Sequence, residues 1–182
     1  MRIVAGSRKG HRIDAPKGVV TRPTSDRVRE AVFSILGSVE GARVLDLFAG
    51  SGAMGLEALS RGAVHATFVE RDAAAARVVE RNLEKLGLRD SATVLRQDAV
   101  RAVRAEVRAG RSYDLVLVDA PYAEWPSLEA ALGLLLQDVV AQEGRVVVET
   151  AADIEPELPL DHPGEKLPHG RPWTALPQSQ GG

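Results

Sequence analysis

From Ala42 onward the chain alternates two kinds of segment, and that alternation constrains its fold more than any single residue does. Arg43–Leu47, Ala66–Glu70, Ala92–Arg96, the Val-rich Tyr113–Asp119 and Arg145–Thr150 are short apolar runs that read as buried strands. Between them lie stretches with helical spacing: one after the first strand to about Arg61, then Ala73–Leu86, Val100–Arg108 and Ser127–Gln137. Gly87 supplies a stop for the second of these. Strands alternating with helices predict a parallel sheet covered on both faces. Upstream, Val28, Ala31, Val32, Ile35 and Leu36 fall on one stripe and predict a further helix from Ser25 or Asp26 to about Leu36. Thr24, Ser25 or Asp26 can cap it, and Gly37 can end it.

Both ends of the chain depart from this pattern. Ile3-Val4 and Ile13, interrupted by glycines, predict a small hairpin near the start. Residues 1–29 carry eight basic and two acidic side chains, a net +6, whereas the remainder carries 15 basic and 23 acidic, a net −8. A basic arm on an acidic body points to an anionic polymer as partner. The arm is expected to project from the sheet. At the other end, residues 151–182 hold six of the ten prolines, which restricts strands there to edges. We expect an arm over 1–24 and one domain over 25–182 with an atypical, proline-rich 151–182.

Composition narrows the chemistry. The chain has no cysteine, which excludes disulfides, thiolate metal sites and cysteine nucleophiles. His11, His65, His162 and His169 have no metal-ligand spacing, so no metal is expected. No apolar run approaches the ~18 residues of a membrane span, and the start lacks the apolar stretch of a signal peptide. A cytoplasmic protein is the expectation.

The first strand runs into Asp46-Leu47-Phe48-Ala49-Gly50-Ser51-Gly52-Ala53-Met54-Gly55. Gly50, Gly52 and Gly55 fit the G-x-G-x-x-G spacing that lets a backbone approach a bound nucleotide, and Glu70 ends the next strand as a ribose-binding acid would. This pattern does not separate a nicotinamide dinucleotide from S-adenosylmethionine. Three further features favour the latter. Asp46 sits where a carboxylate can meet an ammonium group; Asp98 follows the third strand after Gln97; and Asp119-Ala120-Pro121-Tyr122 follows the fourth. All stand at the carboxyl edge of the sheet, where ligands bind in open α/β folds. A dehydrogenase would also need a substrate domain for which little chain is left.

The chain resembles the RsmD family of 16S rRNA guanine-N2 methyltransferases over roughly residues 2–150. The resemblance rests on Gly6-Ser7-Arg8-Lys9-Gly10-His11-Arg12, on Thr21-Arg22-Pro23-Thr24-Ser25-Asp26-Arg27-Val28-Arg29-Glu30, on the glycine turn with Gly55-Leu56-Glu57-Ala58-Leu59-Ser60-Arg61-Gly62-Ala63, and on Val69-Glu70. It implies the class I S-adenosylmethionine-dependent methyltransferase fold: Rossmann-like, seven strands, mostly parallel with the last antiparallel, and helices on both faces. By family role, Asp46 and the Gly50–Gly52 turn hold the methionine part of S-adenosylmethionine, Phe48 belongs to the same cofactor set, Glu70 takes the ribose hydroxyls and Asp98 the adenine amine. Asp98 can also be read simply as a helix cap.

Asp119–Tyr122 resembles the family's Asp/Asn-Pro-Pro-Tyr/Phe element. An aryl amine is a poor nucleophile because its lone pair is delocalised into the ring. Asp119 and the Ala120 carbonyl can each accept one N–H and localise that pair, and Tyr122 offers a stacking face to a base that has left its helix. Ala120 departs from the family, which has proline there, so the fixed φ is lost. His169-Gly170 and Trp173–Leu176 align with the family's closing hairpin. The implied partner is 16S rRNA in a small ribosomal subunit, partly assembled, met by a monomer through Arg2, Arg8, Lys9, Arg12, Lys17 and Arg22. Two other functions stay open: N6-adenine methylation of DNA or RNA, which the same amine chemistry serves, and a catalytically weak RNA- or cofactor-binding protein.

Overall fold

A computed structural model describes residues 1–16, 26–150, 158, 165–166 and 172–175. Lys17, Arg22, the caps Thr24 and Ser25, and the His169-Gly170 turn lie outside the described residues. The elements run α1 (Asp26–Leu36), β1 (Arg43–Leu47), α2 (Ala53–Ser60), β2 (His65–Val69), α3 (Ala73–Leu86), β3 (Ala92–Leu95), α4 (Ala99–Arg108), β4 (Tyr113–Val118), α5 (Trp125–Val139), β5 (Val140–Glu149), β6 (Glu165–Lys166) and β7 (Pro172–Ala175).

The sheet order is β3-β2-β1-β4-β5-β7-β6. β1 to β5 are parallel neighbours, and β7 pairs antiparallel with both β5 and β6. Side chains alternate faces along each strand, and both faces are covered. Leu115, Leu117 and Val147 join Val32, Leu56 and Leu83 in one core layer. Val116, Val118, Val146 and Val148 join Val103, Leu132 and Leu136 in the other. This two-sided burial is why the strands read as continuous apolar runs.

Helix ends follow local chemistry. The Asp72 carboxylate accepts from the N–H groups of Ala74 and Ala75 at 3.0 and 2.8 Å and starts α3. Gly87, in the left-handed region at φ 65°, ends it. α5 outruns the expected Ser127–Gln137 at both ends and passes into β5 at Val140 with no intervening loop, so β5 begins five residues before the expected Arg145.

Two expectations need correction. The start of the chain does not project. It doubles back through an antiparallel bridge between Arg2 and Arg12, and Ile3 and Ile13 are buried in the core layer of α1, α2 and α3. The N–H groups of Val4 and Ala5 donate to the buried Glu57 carboxylate at 2.8 and 2.9 Å, and Asp14 and Asn82 exchange two hydrogen bonds. Buried isoleucines and satisfied buried polar groups hold this segment down. Proline, too, is not confined to an edge. β7 lies between β5 and β6, and Pro172 is its first residue, opposite Glu149. β6 reaches only Trp173 and Thr174, so no ladder bond is asked of Pro172 on that side. Among the described residues, no helix is long and apolar enough to cross a membrane.

Candidate active site

The carboxyl ends of β1, β2, β3 and β4 surround a cleft of about 200 Å³. Phe48 and Gly50, from the turn that follows β1, line it. Gly50 and Gly52 have φ of 56° and 79°, and Phe48, at 62°, is the only described non-glycine residue with positive φ. Such a conformation is strained for a side chain with a Cβ and is held by its surroundings. Gly55 serves packing: a Cβ there would stand 2.4 Å from the Phe68 ring.

Each acidic residue named from the sequence is placed, and most are already engaged by backbone. Glu70 lines the cleft; its carboxylate accepts from Gly50 N–H at 2.9 Å and from Asp72 N–H at 2.8 Å, which ties the glycine turn to the end of β2. Asp46 is buried beneath the turn and accepts from Gly55 N–H at 2.9 Å. Burial pushes its pKa up to about 7; the Gly55 hydrogen bond opposes this, and the charges of Asp119 and Glu70 add to it. Asp46 does not reach the cleft wall. Asp98 is exposed and caps α4 by accepting from Arg101 N–H at 3.0 Å, while its neighbours Gln97 and Ala99 line the cleft. Asp119, half-buried, and Pro121 close the far wall; Ala120 is buried. Tyr122 opens a 3-10 turn, Tyr122–Glu124, in which Glu124 N–H donates to the Pro121 carbonyl at 2.8 Å.

Several side chains of this region were not named as site residues, Pro16 and Asp72 of the cleft lining among them. Gln97 lines the cleft, and the adjacent Asp98 was the signal that pointed to its strand end. Arg71 forms a two-point ion pair with Glu124, one contact being 3.0 Å, which joins the loop after β2 to the loop after β4 across the end of β1. Nothing in sequence spacing reveals that pair, because its partners are 53 residues apart.

The basic residues of the start are unequally available. Arg2 pairs with Asp26 at 3.5 Å, and Arg8 donates from Nε to the Leu86 carbonyl at 2.6 Å. Arg29 is buried, donating to the Arg2 carbonyl and to Asp26. Lys9 and Arg12 are exposed.

Residues 1–162 match the protein family described as conserved hypothetical protein 95. YlbH of Bacillus subtilis, a provisionally named rRNA methyltransferase, is 43% identical over 161 residues, covering 87% of this chain and 86% of its own. Ribosomal RNA small subunit methyltransferase D of Escherichia coli is 37% identical over 161 residues, covering 87% of this chain and 78% of its own. Among solved structures, the yhhF protein of Escherichia coli superposes with a TM-score of 0.83 at 33% identity over 99% of both chains. A hypothetical protein of Thermus thermophilus gives 0.82 at 31% identity over 98% of this chain and 99% of its own.

Proposed function

This chain belongs to the RsmD family of ribosomal RNA methyltransferases, and on that premise we propose that it uses S-adenosylmethionine to methylate the exocyclic N2 of a guanine in 16S rRNA. The observation that carries the reading is the shared rim: Glu70, the glycine turn and Asp119 face one cleft at the carboxyl edge of the sheet. The described residues fit the cofactor. Val69, Ala75 and Ala99 give the cleft apolar walls, and Gly50 brings bare backbone to it. The Glu70 carboxylate, already held by two N–H donors, keeps acceptor capacity for ribose hydroxyls. Gln97 or Asp98 meets the adenine amine. When bound, S-adenosylmethionine supplies an electrophilic methyl group.

The chain's own residues then prepare the acceptor. Asp119 takes one N–H of the target amine and the Ala120 carbonyl takes the other, which localises the nitrogen lone pair. Placing acceptors where charge develops, in a site that is already ordered, is what lowers the barrier. Tyr122 follows in the chain as the stacking platform for a base that has left its helix. Lys9 and Arg12 offer phosphate contacts that orient the RNA without reading sequence. We read the β6–β7 pair as closing the class I seven-strand sheet, and the protein as a cytoplasmic monomer acting on a partly assembled small subunit with no metal.

The test is incubation with labelled S-adenosylmethionine and unmodified small subunits, followed by nucleoside analysis. N2-methylguanosine is the expected product. Methyladenosine would overturn the guanine assignment, and a melting-temperature rise with NAD but not with S-adenosylmethionine would overturn the cofactor.

A further inference from the structure

Strand register sets a second carboxylate beside Asp119. Leu117 of β4 pairs with Val147 of β5, and Val118 with Val148. Leu117 and Val147 lie in the core layer of α1 and α2; Val118 and Val148 lie in the opposite layer. Because side chains alternate, two residues beyond Leu117 and Val147 the α1 face carries Asp119 and Glu149, on strands about 4.8 Å apart. Both line one groove with Val28 and Val32 of α1 and Met54 of α2. The interior of that groove is about 20 Å³, roughly the room of a single water. It suits the edge of a base and not a whole ring. Asp119 lines both this groove and the cofactor cleft, so a group at Asp119 stands between them.

We propose that Glu149 is a specificity residue that reads the Watson–Crick edge of the target guanine, accepting its N1–H while Asp119 accepts from the neighbouring exocyclic amine. The proposal rests on the guanine-N2 reading above. Guanine presents two adjacent donors on this edge, N1–H and the N2 amine. Adenine presents its N6 amine beside an N1 lone pair. Two side-by-side carboxylates match the first pattern, and the second would set a lone pair against Glu149. The apolar Val28, Val32 and Met54 around the carboxylates limit competing water, and in such surroundings a mismatched polar edge is rejected strongly. Glu149 therefore selects the base, and Asp119 acts on the amine.

The test compares guanine with 2-aminopurine at the nucleotide the wild type modifies, in reconstituted small subunits. 2-Aminopurine keeps the amine but carries a lone pair at N1. The wild type should prefer guanine in kcat/KM by roughly 10- to 100-fold, the discrimination of one well-placed base contact. Glu149→Gln should lose most of that preference, because its amide can donate to the 2-aminopurine N1. Glu149→Asp keeps the charge and should retain the preference at a lower kcat/KM. Calorimetry of the demethylated cofactor should read the same affinity in all three proteins, since Glu149 does not line the cofactor cleft. An unchanged guanine preference in Glu149→Gln overturns the proposal and leaves guanine methylation standing. Equal rates of the wild type on the two bases overturn it whatever the variants do. Adenine methylation by the wild type overturns both.

Discussion

The rim above β1 and β2 and the rim above β4 and β5 use the same residue types to different ends. In the first, carboxylates are occupied by backbone close to them: Asp46 by Gly55, Glu70 by Gly50 and Asp72, and Asp72 itself by Ala74 and Ala75. Those bonds fix the turn before any ligand arrives. In the second, Asp119 and Glu149 come from strands 30 residues apart and are brought together by ladder register. One rim is preorganised to hold; in the function proposed above, the other presents its carboxylates to the target base. The contrast predicts that damage to the first rim shows in binding and stability, and damage to the second shows in rate.

The largest effect is expected at Asp119. Asp119→Ala should lower the methyl-transfer rate at least about 100-fold, the usual loss when one well-aimed electrostatic group is removed. Calorimetry should find cofactor affinity little changed. Near-normal turnover would erase the division between the rims. The opposite signature is expected for Glu70→Ala. It removes the acceptor of two backbone donors and of the proposed ribose contact, so cofactor affinity should fall roughly 10- to 100-fold, the equivalent of losing a charge-assisted hydrogen bond. The rate at saturating cofactor should fall far less.

Asp46 sharpens the comparison through pH. Its folded-state pKa of about 7 stands above the ordinary carboxylate value of 3.8. The folded protein therefore keeps a proton that the unfolded chain has released once pH passes the ordinary value. Stability from this group is lost as pH rises across that window and is level above about 7. Asp46→Asn cannot ionise and can still accept from Gly55. In cofactor-free protein its melting temperature should gain on the wild type as pH is raised towards 7, then hold a constant lead. A wild-type-to-variant difference flat across pH would mean that Asp46 is not held protonated.

The same division explains what could be read without coordinates. α3 spans the residues its periodicity marks, and β1 to β4 fall within a residue or so of their apolar runs, because those signals are local. Asp46, Glu70 and Asp119 were visible as acids at strand ends. What escaped was set by distant partners. The packing of the first sixteen residues depends on Glu57 and Asn82, the Arg71–Glu124 pair spans the sheet edge, and Glu149 gains meaning only when β4 and β5 are in register. The start of β5 at Val140 was hidden because Gln142, Glu143 and Gly144 interrupt the apolar run before Arg145. Asp98 shows a local signal with two readings: its capping bond to Arg101 N–H is present, and one carboxylate can both cap and face a ligand.

The smallest effect concerns Ala120, where this chain lacks the family's proline. Ala120 precedes Pro121, and a residue before proline is already pushed towards extended or polyproline backbone, which lies close to the φ that proline imposes. Ala120 is not among the described residues with positive φ, and its N–H donates none of the described turn, loop or cap hydrogen bonds. Proline there would remove little and would narrow the unfolded ensemble. The opposing term is space. Ala120 is 3% exposed and sits in the core layer of Trp125 and Leu128, where overpacking costs about 1–3 kcal/mol. The extra ring carbons attach at the backbone nitrogen and the Cβ, beside the exposed Pro121. We therefore expect Ala120→Pro to be neutral or stabilising by roughly 0.4–1 kcal/mol, with activity held or raised. Denaturant unfolding paired with methyl-transfer rates measures both sides. A collapse of activity would show that the loop after β4 follows a path that proline cannot take, and that this rim gains its reactive geometry by staying unlike the locked turn above β1.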